Sequence, residues 1–132
     1  MIIHHHVIVW IDHQQAKIFE VTLDDAARAV LHSTHAHQHL HHHSGDSGHV
    51  PVDKAYLKSV TAALSAAGAI LVTGPASAKT ELVAYIKAEH PELFKKISGV
   101  EALDHPTDGA LVAFARRYFK ADDRMHSQTP FS

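Results

Sequence analysis

The stretch Ala69-Ile70-Leu71-Val72-Thr73-Gly74-Pro75-Ala76-Ser77-Ala78-Lys79-Thr80-Glu81-Leu82-Val83-Ala84-Tyr85-Ile86 decides the fold. Ile70, Leu71 and Val72 form a short continuous apolar run, the pattern of a strand buried on both faces. Gly74 and Pro75 break that run, and Ser77 stands where a helix N-cap belongs. From Leu82 the apolar spacing (Leu82, Val83, Ile86) becomes helical. A buried strand, a Gly turn and a helix N-terminus are a place where α/β proteins bind anions. A nucleotide P-loop needs more: four residues after its first Gly, then Gly-Lys-Ser/Thr. Gly74-Pro-Ala-Ser-Ala-Lys79-Thr80 lacks the second Gly and is one residue short, and Pro75 removes an N–H donor from any cradle. The segment is a strand-to-helix connection, not a P-loop.

Working outward, Val7 to Ile11 is apolar on both faces and reads as a central strand. Asp12-His13-Gln14-Gln15 supplies a polar turn, and Ala16 to Thr22 follows as the second strand of a hairpin. Asp24-Asp25 marks another turn before a third strand that ends near Thr34. From His35 to Val50 the chain is polar and His-rich, a long loop. Pro51-Val52-Asp53 opens a helix with Asp53 as its cap, and Tyr56, Leu57, Val60 and Leu64 share one side of it. Gly68 suits its C-terminal end. The helix of the quoted stretch stops at Pro91, Gly99 weakens a fifth strand, and Pro106-Thr107-Asp108 begins a last helix. That helix buries Leu111, Phe114, Ala115, Tyr118 and Phe119. Strands are expected at about 5–11, 16–22, 28–34, 69–73 and 97–103, and helices at about 53–67, 77–90 and 107–120. The order β-β-β-α-β-α-β-α gives one α/β domain over residues 1–121, a five-stranded mixed sheet with helices on both faces. Residues 122–132 lack periodicity and read as a disordered tail.

Gly74 followed by Lys79-Thr80-Glu81-Leu82 after the Ile70–Val72 strand resembles the middle domain of archaeal and eukaryotic class I peptide-release factors and of their relative Pelota. The likeness spans roughly residues 7–120 and includes the element order, which matches the ribonuclease-H-like arrangement of that domain. The chain looks like a stand-alone version, of the kind bacteria encode as small translational machinery proteins. In release factors the loop between the third strand and the first helix carries Gly-Gly-Gln, which positions water for peptidyl-tRNA hydrolysis. Here that loop holds Ser44-Gly45-Asp46-Ser47-Gly48-His49 and no such tripeptide. No residue carries over as catalytic. The resemblance therefore implies a non-enzymatic protein that works with the ribosome or RNA. Its expected contacts are Gly74, Ser77 and Lys79 at the turn and Arg116, Arg117 and Lys120 on the last helix.

Composition sets the outer bounds. At 132 residues and 45% apolar content the chain can bury a substantial core. No run approaches the length of a membrane span, and no secretory signal opens the chain, so a cytoplasmic protein is expected. The absence of cysteine removes disulfides and thiolate metal sites. A formal charge of −2 gives no global attraction to nucleic acid. Six of the twelve basic residues are nonetheless Lys95, Lys96, Arg116, Arg117, Lys120 and Arg124, and three of these cluster on the last helix. That cluster suits phosphate contact, or simply a solvated helix end where cations are favoured.

Fifteen histidines are far above average usage. His35, His37, His39, His41 and His43 alternate strictly, which on an extended chain puts their side chains on one face about 7 Å apart. Neighbouring imidazoles at that spacing can share one ion. With His49 and Asp46 nearby, the segment is a candidate site for Zn²⁺ or Ni²⁺, or a polar tract that binds metal opportunistically. If the first strand neighboured the third, His4 or His6 would approach it. A two-metal nuclease is the remaining alternative for this fold. It would draw on Asp12, Asp104 and Asp108, which equally suit turn and cap roles. Unpaired sheet edges are also available for pairing between copies in a homo-oligomer.

Overall fold

The computed structural model describes residues 6–22, 26–33 and 52–127, with the side chains of 122–127 excepted. The expected metal ligands His35, His37, His39, His41, His43 and His49 lie outside the described residues, as do His4 and His5. The elements are β1 (His6–Ile11), β2 (Gln15–Val21), β3 (Ala26–His32), α1 (Lys54–Ala63), β4 (Ala69–Gly74), α2 (Ala78–Glu89), α3 (Pro91–Phe94), β5 (Ile97–Ala102) and α4 (Asp108–Ser127). One five-stranded sheet runs in the order β3-β2-β1-β4-β5. β1 pairs antiparallel with β2 and parallel with β4, and β4 pairs parallel with β5. Ile70, Leu71 and Val72 are fully buried between two neighbouring strands, as their unbroken apolar run requires.

Side-chain alternation divides the core in two. Val7, Val9, Ile11, Ala16, Ile18, Ile70 and Val72 point to the face covered by α1 and α2, where Leu57, Val60, Leu64, Leu82 and Ile86 meet them. Ile8, Trp10, Phe19, Val21 and Leu71 point to the face covered by α4 through Leu111, Ala115 and Phe119. Both crossovers that link parallel strands, β1 to β4 and β4 to β5, lie on the first face. Among the described elements, only α4 returns over the second.

Two glycines sit at close approaches, one against backbone and one against a side-chain tip. Gly74 sits at φ +153°, and a Cβ there would stand 2.2 Å from the Ile11 carbonyl oxygen. At Gly99 a Cβ would lie 2.1 Å from the Tyr118 hydroxyl, which donates to the Ser98 carbonyl at 2.9 Å. The ladder shifts register beside it, so Leu71 pairs with Gly99 while Ile70 pairs with Ile97. Gly99 therefore lets α4 seat a tyrosine against the edge strand, beyond the weakening of β5 expected from its sequence.

Several boundaries differ from expectation, each for a local reason. β3 spans Ala26–His32 rather than 28–34, because it pairs along the whole of β2 from Gln15↔His32 to Val21↔Ala26. α1 stops at Ala63 rather than 67. Ser65 and Ala67 donate to the carbonyls three residues back, a tighter turn that keeps Leu64 and Ala67 buried. The short α3 was not expected; Pro91 ends α2 but suits a first helical position, where it needs no N–H partner. α4 runs on to Ser127, because residues 121–127 contain no Gly or Pro and a helix already nucleated needs no apolar stripe to continue. The tail expected from 122 is thus helical that far, and residues 128–132 lie outside the described set.

Candidate RNA-contact surfaces

At the end of β4 the chain turns through Gly74 and Pro75 into α2, and its polar side chains bind one another. Ser77 adopts helical backbone angles and makes no side-chain cap; its hydroxyl donates to Glu81 Oε2 at 3.3 Å. The Lys79 ammonium donates to the Ala76 carbonyl, and Thr80 Oγ1 donates to the Ser77 carbonyl at 2.8 Å. Glu81 Oε1 accepts from the Val52 N–H at 2.8 Å, while its Oε2 lies 3.8 Å from His13 Nε2. A carboxylate in the first turn satisfies the positive end of the helix dipole from within. Glu81 ties this turn to the β1–β2 hairpin and to the segment entering α1. The arrangement is a structural junction more than an open anion cradle.

The other basic set lies elsewhere. Arg116 is half-buried, and its Nε donates to the Thr22 carbonyl at 3.0 Å, pinning α4 to the end of β2. Arg117 and Lys120 are exposed on the outer side of the helix, away from the buried Leu111, Ala115 and Phe119. His6 stacks on Phe119 with ring centroids 4.5 Å apart, so this part of α4 overlies the start of β1. Gly74 presses instead on Ile11 at the end of β1. Five residues of strand separate those two positions, about 17 Å. Moreover, α2 and α4 cover opposite faces of the sheet. The expected contacts thus fall into two separate surfaces.

Two of the three acids weighed for a nuclease, Asp12 and Asp108, are engaged in the fold. Asp12 Oδ1 accepts the N–H groups of Gln14 and Gln15, both at 2.8 Å, which closes the hairpin turn. Asp108 accepts from Lys17 Nζ at 3.2 Å and from Arg28 at 2.6 Å, joining α4 to β2 and β3. Partial burial works to raise the Asp108 carboxyl, but the hydrogen bonds and charges of Lys17 and Arg28 outweigh it and hold it below the usual carboxylate range. Asp104 is exposed beside His105. Among the described residues no group of three or more His, Cys, Asp or Glu side chains is placed to hold a metal ion. The position of β1 between β2 and β4 also keeps His6 from adjoining β3, and it turns to Phe119.

Sequence reasoning missed the anchoring cluster under α4. Trp10 Nε1 donates to the Leu103 and Asp104 carbonyls, both at 3.2 Å, and Lys17 Nζ lies 5.8 Å from the Trp10 ring centroid. A charged residue, Lys17, next to the apolar run Ile18-Phe19 of the strand was the available signal.

No protein-family model matches the chain, and no curated protein matches it. Solved structures do. Pelota from Thermoplasma acidophilum superposes with a TM-score of 0.63 at 17% identity, covering 85% of this chain and 32% of that one. Pelota from Archaeoglobus fulgidus gives 0.62 at 16% identity, covering 86% and 31%. An archaeal translation termination factor, aRF1, gives 0.53 at 18% identity, covering 92% and 39%. The chain spans about a third of the length of the two Pelota proteins. The fold is that of a domain found in Pelota and release factor proteins, as its sequence motif implied.

Proposed function

We propose that this chain is a non-enzymatic, translation-associated protein that contacts the ribosome or RNA through the outer face of α4. The observation that carries this reading is the fold, shared over most of the chain with proteins described as translation termination factors. Arg117 and Lys120 supply exposed cations one turn apart, and Arg116 fixes the helix that presents them. The turn at Gly74, Ser77 and Lys79 serves the fold instead. No catalytic residue is assigned, since the loop between β3 and α1 has no Gly-Gly-Gln.

Sedimentation of cell lysate through a sucrose gradient tests the proposal. The chain should travel with ribosomal fractions at low salt and move to the top as salt rises, because phosphate contacts are lost by counterion competition. Arg117→Glu/Lys120→Glu should remain at the top throughout. Absence of the wild-type chain from every ribosomal fraction at low salt would overturn the reading.

A second reading rests on the strict alternation of His35 to His43 alone: the segment binds a borderline divalent ion, Zn²⁺ or Ni²⁺. Calorimetry at pH 7.5 and 5.5 tests it. Binding should weaken at the lower pH, where protons compete for imidazole. It should also disappear when His37, His39, His41 and His43 are changed to Ala.

A further inference from the structure

Between α1 and α3 lies an open groove of about 430 Å³. One wall is a stripe of α1 and its following turn, with Lys58, Thr61, Ala62 and Ser65 at i, i+3, i+4 and i+7, the spacing of a single helix face. The other wall is His90 with the short α3 and Lys96. The groove exists because the α1 stripe ends in small side chains. Thr61 is buried and turns its hydroxyl back to the Leu57 carbonyl at 2.7 Å, so that hydroxyl is already engaged within α1. Ala62 and Pro91 are exposed, and Leu93, buried against the core, closes the floor.

The charge around this apolar trough is one-sided. Lys58 and Lys96 both line it and both are exposed. Its one carboxylate, Glu92, stands 3.5 Å from Lys95 Nζ, which offsets that negative charge. The lining therefore offers cations at the edge and apolar surface beneath. A polynucleotide would use the cations but leave the apolar trough empty, for the one ring in the lining, the His90 imidazole, stands on the wall beside Tyr85 with ring centroids 6.2 Å apart. A peptide with carboxylates flanking one apolar side chain satisfies both parts. The size agrees, since seven residues of helix span about 10 Å, enough for one anchor residue and its neighbours.

We propose that the groove between α1 and α3 docks a short acidic segment of a partner protein. Its apolar side chain rests on Ala62, Pro91 and Leu93, and its carboxylates meet Lys58 and Lys96. This surface lies on the face of the sheet opposite α4, so it can be occupied independently of the α4 contact.

The test uses the full chain and a random twelve-residue peptide library displayed on phage. Selected peptides should carry Leu, Ile, Phe or Met between Asp or Glu residues. A synthetic representative, titrated into ¹⁵N-labelled protein, should move the amides of Lys58, Ser65, Leu93 and Lys96. Lys58→Glu/Lys96→Glu should weaken it at least tenfold while the thermal midpoint stays near wild type, both side chains being exposed. Arg117→Glu/Lys120→Glu should bind the peptide as wild type does, which separates this surface from the α4 reading. Selection without acidic enrichment, or shifts elsewhere, would overturn the proposal. So would an oligouridylate that moves the same four amides with equal affinity, which would assign the groove to RNA.

Discussion

At the turn after β4, Lys79 donates to the Ala76 carbonyl and Ser77 donates to Glu81, which also takes the Val52 N–H. On the outer face of α4, Arg117 and Lys120 stand exposed, and only the half-buried Arg116 is tied to the sheet, through Thr22. In sequence the two regions look alike, each a helix carrying cations suited to phosphate. Their difference lies in what surrounds the cations. The first turn of α2 joins three segments and is bonded internally, so altering it should cost stability. Helix α4 is anchored by its other side, through Leu111, Ala115 and Phe119, and its outer cations can be changed with little effect on folding.

The largest effect that would sharpen this contrast is at Gly74. A methyl there meets the Ile11 carbonyl oxygen at 2.2 Å, in a backbone region that disfavours side chains. Gly74→Ala should cost about 3 kcal/mol or more, measured as a drop in the urea midpoint. Ribosome binding per folded molecule should be unchanged. An unaltered midpoint would break the view of this turn as a tight junction.

Asp108 sets the next scale, because it anchors the start of α4. Its folded pKa lies below the unfolded value near 3.9. The Lys17 and Arg28 interactions therefore stabilise the fold above that value, and the contribution fades as pH falls through the depressed one. Asp108→Asn should cost about 1 kcal/mol or less at pH 7, the range of partly exposed ion pairs. The difference from wild type should shrink as pH is lowered below about 4. Urea unfolding at pH 7, 5 and 3 checks this, and a penalty that grows toward acid would contradict it.

The smallest effect belongs to Lys79. Lys79→Ala should leave stability within about 0.5 kcal/mol, because its bond is local and replaceable by water. Ribosome affinity should also hold. A loss of binding would move the contact surface to α2 and collapse the distinction between the two regions.

The sheet was legible in sequence where burial is two-sided. Val7–Ile11 and Ile70–Val72 are unbroken apolar runs, and both are interior strands. β3 was harder to delimit, because an edge strand of Ala26, Ala27, Arg28 and Ala29 carries little apolar signal and its ends are set by pairing with β2. Asp53 was readable as a cap because an acid before an apolar helix face has one obvious partner, and it accepts the Tyr56 N–H at 3.2 Å. Ser77 does stand at the N-cap of α2, but its hydroxyl makes no capping bond, because Glu81, one turn on, competes for it. The candidate contact residues were identifiable by type, but their division between two faces was not. That depends on where β5 hands the chain to α4, a matter of topology that periodicity does not encode. The bond from Arg116 to Thr22 joins residues far apart in sequence and leaves no local mark.

The central claim is that the outer face of α4, and not the turn after β4, contacts the ribosome or its RNA. Binding of the purified chain to purified ribosomes, followed across a potassium chloride series, tests it most directly. Each lost phosphate contact removes about 0.7 to 0.9 from the slope of log K against log salt. Arg117→Glu/Lys120→Glu should therefore flatten the slope by about 1.4 or more and weaken low-salt binding at least tenfold, while Lys79→Ala follows wild type. Equal loss in the Lys79 variant, or no wild-type binding at low salt, would contradict the account.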